Sequence, residues 1–202
     1  LNPRQRQTIQ YWAAPWPDGL ALARVEPHPY GTFAIFALWR GLLGDGEWVM
    51  RLLPALGSLP GLAAAYVLGR RLFRTERAGL LAVFLYAVHP ALIWHAQDVR
   101  NYALWAAATP AATAALLVAL ESNRPRAWLR YGLAAVLSAY VFFFALFFVI
   151  AHGVYVFLFR RERLRRWLAI SLGVAVFLIP LGLQILAIMQ GGAYAGTAGR
   201  FS

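Results

Sequence analysis

The sequence predicts an all-α protein, a polytopic bundle of transmembrane helices, on three observations. Hydrophobic residues make up 61% of its 202 residues and charged residues only 13%, with a mean hydropathy of +0.57. A soluble domain runs nearer half apolar and a quarter charged. Apolar runs approaching the roughly 20 residues that cross a hydrocarbon core about 30 Å thick recur along the chain. Short arginine tracts separate those runs. Intrinsic disorder is excluded, because it requires low hydrophobicity. The absence of cysteine excludes a disulfide framework and thiolate metal sites.

Residues 1–28 are polar and rich in Pro and Trp, and are expected to form an extracytoplasmic loop. Residues 29–43 are apolar but too short to span, with Arg40 inside the run, which fits an interfacial helix. Gly44-Asp45-Gly46 supplies turn chemistry. Spans are then expected at about 47–69, 78–95 and 102–120. Residues 127–159 would make a helix of about 50 Å, too long for one ordinary crossing. Two short crossings, 127–141 and 144–159, turning near Tyr140 to Phe144, keep the flanking arginine tracts on one side. A last span is expected at 167–189, followed by a Gly-rich extracytoplasmic tail at 190–202. The opening residues carry neither methionine nor a signal-peptide pattern, so the chain reads as part of a longer polytopic protein.

All 19 basic residues are arginine, against 8 acids, for a net charge of +11. Nucleic-acid binding would need a basic face on a soluble fold. Here 12 of the 19 sit in three tracts between apolar runs: 70–77, 124–130 and 160–166. That is the asymmetry of cytoplasmic loops. It assigns Glu76, Glu121 and Glu162 to the cytoplasmic side. Asp18, Glu26, Asp45, Glu47, Asp98, His28, His89 and His95 fall on the opposite face, where any chemistry is expected.

Asp98 and Arg100 lie between two spans, where ionisable groups are expensive and therefore suggest function. The carboxylate could act as a base or hold a cation; the guanidinium could grip a phosphate. Alternatively the two neutralise each other in a structural loop. A helical segment would set Asp98 beside Trp94 and Tyr102, whereas an extended one puts Asp98, Arg100 and Tyr102 on one side. His28, between Pro27 and Pro29, is either a substrate contact or incidental to a helix entry. His89 before Pro90 has the same bland reading. His95 and Asp98 could pair on a metal, but two ligands are weak evidence. His152 reads as a packed helix residue, and Asp45 and Glu47 as solvated turn acids. Arg51 either snorkels to the interface or points into a cavity between helices. Phe142, Phe143, Phe144, Phe147 and Phe148 read as lipid-facing or packing surface. No Gly-rich phosphate loop, nucleophile elbow or HExxH is present, and no cofactor is required, though a divalent metal is compatible.

The order of His28-Pro29-Tyr30, then Leu43 to Glu47, then Arg51-Leu52-Leu53-Pro54 resembles a run in membrane glycosyltransferases of the GT-C superfamily. The resemblance is to protein-mannosyltransferase-like and aminoarabinose-transferase-like members, in which an HPPL-type motif precedes an apolar helix, a Gly-Asp turn and an arginine-led span. Leu68 to Phe73 followed by Ala78 to Leu81 also fits. Ile93 to Leu104 is similar to their W-x-x-Q-E-x-R-x-Y-A-L segment. The similarity covers roughly residues 25–187 and rests on joint order. It implies transfer of a sugar from a polyprenyl-phosphate donor to an extracytoplasmic acceptor, by a multi-pass protein of the cell (inner) membrane. Carried over, it assigns Asp98 to the second acidic position, Arg100 to the motif arginine, Gln97 and Tyr102 to their neighbours, and His28 to the start of the HPPL-type motif. Arg51 joins these as a substrate-binding candidate. Tyr30 stands where the motif has its second proline, and Phe142 where a histidine is often found. The family's first-loop catalytic acid would fall at or before Asn2, with Asp18 poorly placed to substitute, so this stretch alone is expected to be inactive. Competing expectations are a transporter or lipid flippase, which would carry an internal repeat and a midplane site, and a non-catalytic membrane subunit.

Overall fold

The computed structural model describes residues 28–190. Among these are nine α-helices, one short 3-10 turn and no strand. They are α1 (Tyr30–Leu43), α2 (Glu47–Phe73), α3 (Glu76–Val88), α4 (Pro90–Gln97), α5 (Tyr102–Ser122), α6 (Pro125–Val141), α7 (Ala145–Phe159), α8 (Leu164–Phe177) and α9 (Ile179–Gln190). The chain is an all-α helix bundle. Residues 1–27 and 191–202, with Asp18, Glu26 and the Gly-rich tail, lie outside the described residues.

Two helices, α2 and α5, are long and apolar enough to cross a membrane alone. Two further pairs pass the same test only together, α3 with α4 and the 3-10 turn and α8 with α9, bent by 57° and 53°. The stretch expected as one span at 78–95 is therefore broken at His89. Pro90 has no N–H to continue the helix and drives the preceding residue out of the α region. His89 accordingly sits at φ −68°, ψ 119°. At the second break Leu178 stays in the α region, at φ −91°, ψ −1°, and Pro180 in the first turn of α9 withholds an N–H from the helix before it. Residues 125–159 reverse direction at Phe142–Phe144, and the Tyr131 hydroxyl lies 3.3 Å from His152 Nδ1, so α6 and α7 form an antiparallel hairpin.

α2 packs against α3 and α5, and α5 against α6. Close approach of α2 and α3 depends on small residues, as in membrane bundles generally. A Cβ on Gly69 would meet the Ala78 carbonyl at 2.5 Å, and one on Gly79 would meet the Tyr66 ring. Pro110 inside α5 cannot donate to the carbonyl of Ala106. The Tyr86 hydroxyl of α3 donates to that carbonyl instead, at 3.1 Å, restoring a bond that hydrocarbon could not supply. One buried cluster joins α5, α6, α7 and α8 around Leu116, Trp128, Tyr131, Val156 and Val174. His152 is buried with it, within 3.0 Å of Thr113 Oγ1. A second cluster, at the other end of α2, gathers Phe33 and Phe36 of α1, Met50 and Leu53 of α2, and Val99. Outward faces stay apolar, with Phe84, Leu133, Phe157 and Leu172 exposed. A helix bundle in lipid can leave such residues outside, because only water penalises them.

Candidate active site

The loop between α4 and α5 alternates in burial. Val99 is 2% exposed and Asn101 is fully buried, whereas Asp98 and Arg100 reach outward. Alternation of this kind is what an extended backbone produces, and Asp98 has φ −93°, ψ 131°. The extension is local: the Arg100 N–H turns back to the Asp98 carbonyl at 2.8 Å and Asn101 is already in the α region at φ −76°, ψ −6°, so neither the helical nor the fully extended alternative is adopted. Val99 enters the Phe33–Phe36–Met50–Leu53 cluster. Asn101 Nδ2 donates to the Val141 carbonyl at 2.8 Å, and Thr32 Oγ1 donates to the same oxygen at 2.7 Å. One carbonyl at the α6–α7 reversal therefore ties down both the loop and α1.

Asp98 and Arg100 form an ion pair, with Oδ2 3.5 Å from Nε, and their side chains are 30% and 47% exposed. The distance is long and the site wet, so much of the guanidinium's donor capacity is left for a ligand. Arg51 is committed to two partners. Its Nε donates to Glu47 at 2.9 Å and its Nη1 to the Gln97 carbonyl at 2.7 Å, so it clamps the end of α4 to the start of α2. Glu47 is correspondingly an arginine partner and not a free turn acid. Asp45 pairs with Arg40 at 3.1 Å. Gln97 contributes its backbone to this clamp, and its side chain is exposed.

Aromatic rings form the wall beside the pair. Tyr102 tilts over His95 at 5.0 Å and meets Phe142 edge-on at 5.7 Å. Phe142 also packs against Trp105 at 5.1 Å and stacks with His28 at 6.4 Å. Phe142 therefore belongs to this wall and not to a lipid-facing surface, although Phe144 and Phe147 beyond it are exposed. His28 is held from the far end of the described chain. Gln184 of α9 donates to the His28 carbonyl at 2.8 Å and accepts from the Tyr30 N–H at 3.1 Å. Gly31 allows this segment to lie against α6, since a Cβ there would be 2.5 Å from the Tyr140 carbonyl. Burial first, and the charge of Arg100 second, hold the His28 imidazole below its ordinary value of 6.5. It is therefore neutral near pH 7 and can both donate and accept.

Of the residues singled out in the sequence, His28, Asp98, Arg100 and Tyr102 gather at one end of the bundle, with Gln97 and Arg51 directly behind. Among the described residues no group of three His, Asp or Glu side chains is placed to hold a metal ion, so the His95–Asp98 pairing gains no third ligand. Asn101, Thr32, Gln184 and Phe142 were not singled out as site residues. The alternation Asp98-Val99-Arg100-Asn101 was the available signal for Asn101. Phe142 is marked only by the resemblance, which often has a histidine at its position, and nothing local marks Thr32 or Gln184.

The family model for dolichyl-phosphate-mannose-protein mannosyltransferase matches residues 27–183, most of the chain. The chain belongs to that family. The match begins just before His28 and runs through both halves of the cluster, the α4–α5 loop and the α6–α7 reversal. No curated protein and no solved structure matches the chain. Family membership supports a GT-C-type membrane glycosyltransferase and, in general terms, glycosyl transfer.

Proposed function

We propose that the protein transfers a glycosyl group from a polyprenyl-phosphate-linked sugar to an extracytoplasmic acceptor, and that the cluster around Asp98 and Arg100 is part of its donor site. The observation that carries this reading is the outward-facing pair held on a loop whose alternate residues, Val99 and Asn101, are buried. In such a reaction an acceptor hydroxyl gives its proton to a general base, the first-loop carboxylate that the family resemblance implies, and attacks the anomeric carbon. The bond from that carbon to the phosphate oxygen breaks, and negative charge develops on the departing phosphate. Arg100 supplies a fixed cation where that charge grows. Asp98 orients the guanidinium, and neutral His28 can donate to a phosphate oxygen without demanding a proton from solvent. Tyr102 and Phe142 offer faces for a sugar ring or the first isoprene unit. The arginine tracts at the opposite ends of the helices support an inner-membrane orientation with this cluster extracytoplasmic.

The bent pairs α3–α4 and α8–α9 resemble the interrupted helices of transporters. The α8–α9 break nevertheless lies at the Asp98 end of the bundle, where the Tyr140 hydroxyl beside the α6–α7 reversal donates to the Phe177 carbonyl and Gln184 beyond the break reaches His28, which favours the transferase. The deciding experiment supplies the full-length protein, in lipid, with a panel of radiolabelled polyprenyl-phosphate sugars. Consumption of one donor with release of polyprenyl phosphate is expected. Vectorial movement of the intact donor without bond cleavage would replace the transferase by a flippase.

A further inference from the structure

At the arginine-rich end of the bundle, the far end of α2 from Asp98, the helices enclose an open cavity of about 750 Å³. α2 spans 27 residues, about 40 Å, so this cavity is remote from the cluster described above. Four arginines line it: Arg70, Arg71 and Arg74 from the end of α2, and Arg160 from the end of α7. Topology alone requires arginines on this side, but not their convergence from separate stretches of chain on one cavity. Two carboxylates, Glu76 and Glu121, also line it, which leaves an excess of two positive charges. Glu121 is committed to Arg71. The other pairings are long and exposed, Arg70 to Glu76 at 3.8 Å and Arg160 to Glu162 at 3.9 Å, and such pairs are weak enough to exchange. Arg74 makes no ion pair among the described residues. It sits in the left-handed region at φ 57°, where it ends α2 and brings the chain round into α3.

The remaining wall is amphipathic. Tyr66 and Tyr155 carry hydroxyls, and Leu72 and Leu117 provide apolar surface. Beside the cavity Phe73 and Leu158 are exposed on the outer surface. A ligand suited to this site has a phosphate ester at one end and an apolar tail at the other. We propose that the cavity binds the phosphate headgroup of an anionic phospholipid from the leaflet at this end of the bundle. Guanidinium forks match phosphate oxygens in pairs, and basic residues at a membrane surface draw anionic lipid. The tail would run along the apolar outer surface next to Phe73.

The test reconstitutes the full chain in phosphatidylcholine nanodiscs containing a graded fraction of phosphatidylglycerol, and counts by mass the lipid retained after mild detergent extraction. Wild type should retain phosphatidylglycerol in preference to phosphatidylcholine. R70Q/R74Q should weaken that retention about 10- to 30-fold, taking each surface arginine at its usual worth. Glutamine keeps the same backbone demands at position 74, and an unchanged gel-filtration profile would show that the fold is intact. R70K/R74K should recover part of the loss, because charge survives and the fork does not. The control is R124Q/R126Q, which removes equal charge from the same end outside the cavity and should leave retention nearly unchanged. Equal losses in R70Q/R74Q and R124Q/R126Q would mean diffuse surface charge and would overturn the site. Inorganic phosphate displacing phosphatidylglycerol from wild type but not protecting R70Q/R74Q would keep the phosphate site and support a soluble phosphate as a second source. Failure of sugar transfer would leave this result untouched, since the two sites share no residue.

Discussion

The side-chain amide of Asn101 donates to the backbone carbonyl of Val141 across 2.8 Å, although 40 residues of chain separate them. The same oxygen accepts from Thr32 Oγ1 at 2.7 Å. Each lone pair is thus used once, by a donor from a different part of the fold. The arrangement fixes the loop carrying Asp98 and Arg100 relative to α1 and to the α6–α7 reversal.

That sharing has a measurable consequence. Asn101→Leu or Thr32→Val alone removes one hydrogen bond but leaves the carbonyl satisfied, at a cost of about 0.5–1.5 kcal/mol each. The double variant strands a buried carbonyl and should lose more than the sum of the two, by about 1–3 kcal/mol. Denaturation midpoints of the four proteins in one detergent form the cycle. Strict additivity would show that the carbonyl finds another donor and that the shared acceptor is not the linchpin described.

The helical arrangement makes a topological prediction. Single cysteines at Thr75, Ser122 and Glu162, all exposed, should be shielded from a membrane-impermeant thiol reagent in intact cells. Cysteines at Gly46 and Phe144, also exposed, should label. Phe144 decides the matter, because it sits at the α6–α7 reversal and is 55% exposed. If Ser122 and Glu162 label oppositely, residues 125–159 cross only once and the hairpin does not exist in the membrane.

The sequence makes part of this arrangement legible and hides the rest for physical reasons. Length and apolarity reveal α2 and α5, because a helix that must cross lipid alone carries its signal in its own composition. The bends at His89 and Leu178 are harder to see, since the flanking residues are as apolar as any span and only Pro90 and Pro180 mark the interruption. Asp98 and Arg100 stand out because charge between spans is costly. Their supports do not stand out. Thr32, Val141 and Gln184 are ordinary residues of apolar helices, and their roles depend on partners over a hundred positions away, as in the Thr32–Val141 and Gln184–His28 bonds. Within its run of phenylalanines Phe142 reads as lipid-facing or packing surface alike, because the reversal that turns it toward His28 is a tertiary event.

The environment of His28 makes stability pH-dependent with a definite sign. Its folded pKa is depressed, by burial and then by Arg100, so protonation favours the unfolded chain. This contribution is fully present above the unfolded value of 6.5 and is lost progressively as pH falls below it. Comparing thermal midpoints at neutral and mildly acidic pH, His28→Asn should show a smaller acid-induced drop than wild type. Arg100→Ala should also flatten the drop in part, because it removes the second cause while burial remains. An acid-induced drop of equal size in wild type and His28→Asn would assign the effect to other histidines.

The Asp98–Arg100 pair supplies the most direct test of the proposed chemistry. If Arg100 contacts the donor phosphate, Arg100→Ala forfeits a charge-assisted hydrogen bond worth roughly 1.5–3 kcal/mol. That is about 10- to 150-fold in donor binding or turnover at 1.4 kcal/mol per decade. Arg100→Lys should regain only part, because an ammonium lacks the planar fork. Asp98→Asn should lower transfer by releasing the guanidinium from its orientation, while detergent stability stays near wild type. The side chains are 30% and 47% exposed and 3.5 Å apart, and a pair in that setting contributes only about 0–1 kcal/mol to folding. A purely structural pair would behave otherwise: both single variants would be destabilised, and the double variant would recover much of the loss. Donor consumption by the full-length enzyme, followed alongside thermal midpoints, separates the two cases. Unchanged transfer in both single variants would remove the pair from the site and leave the fold as described.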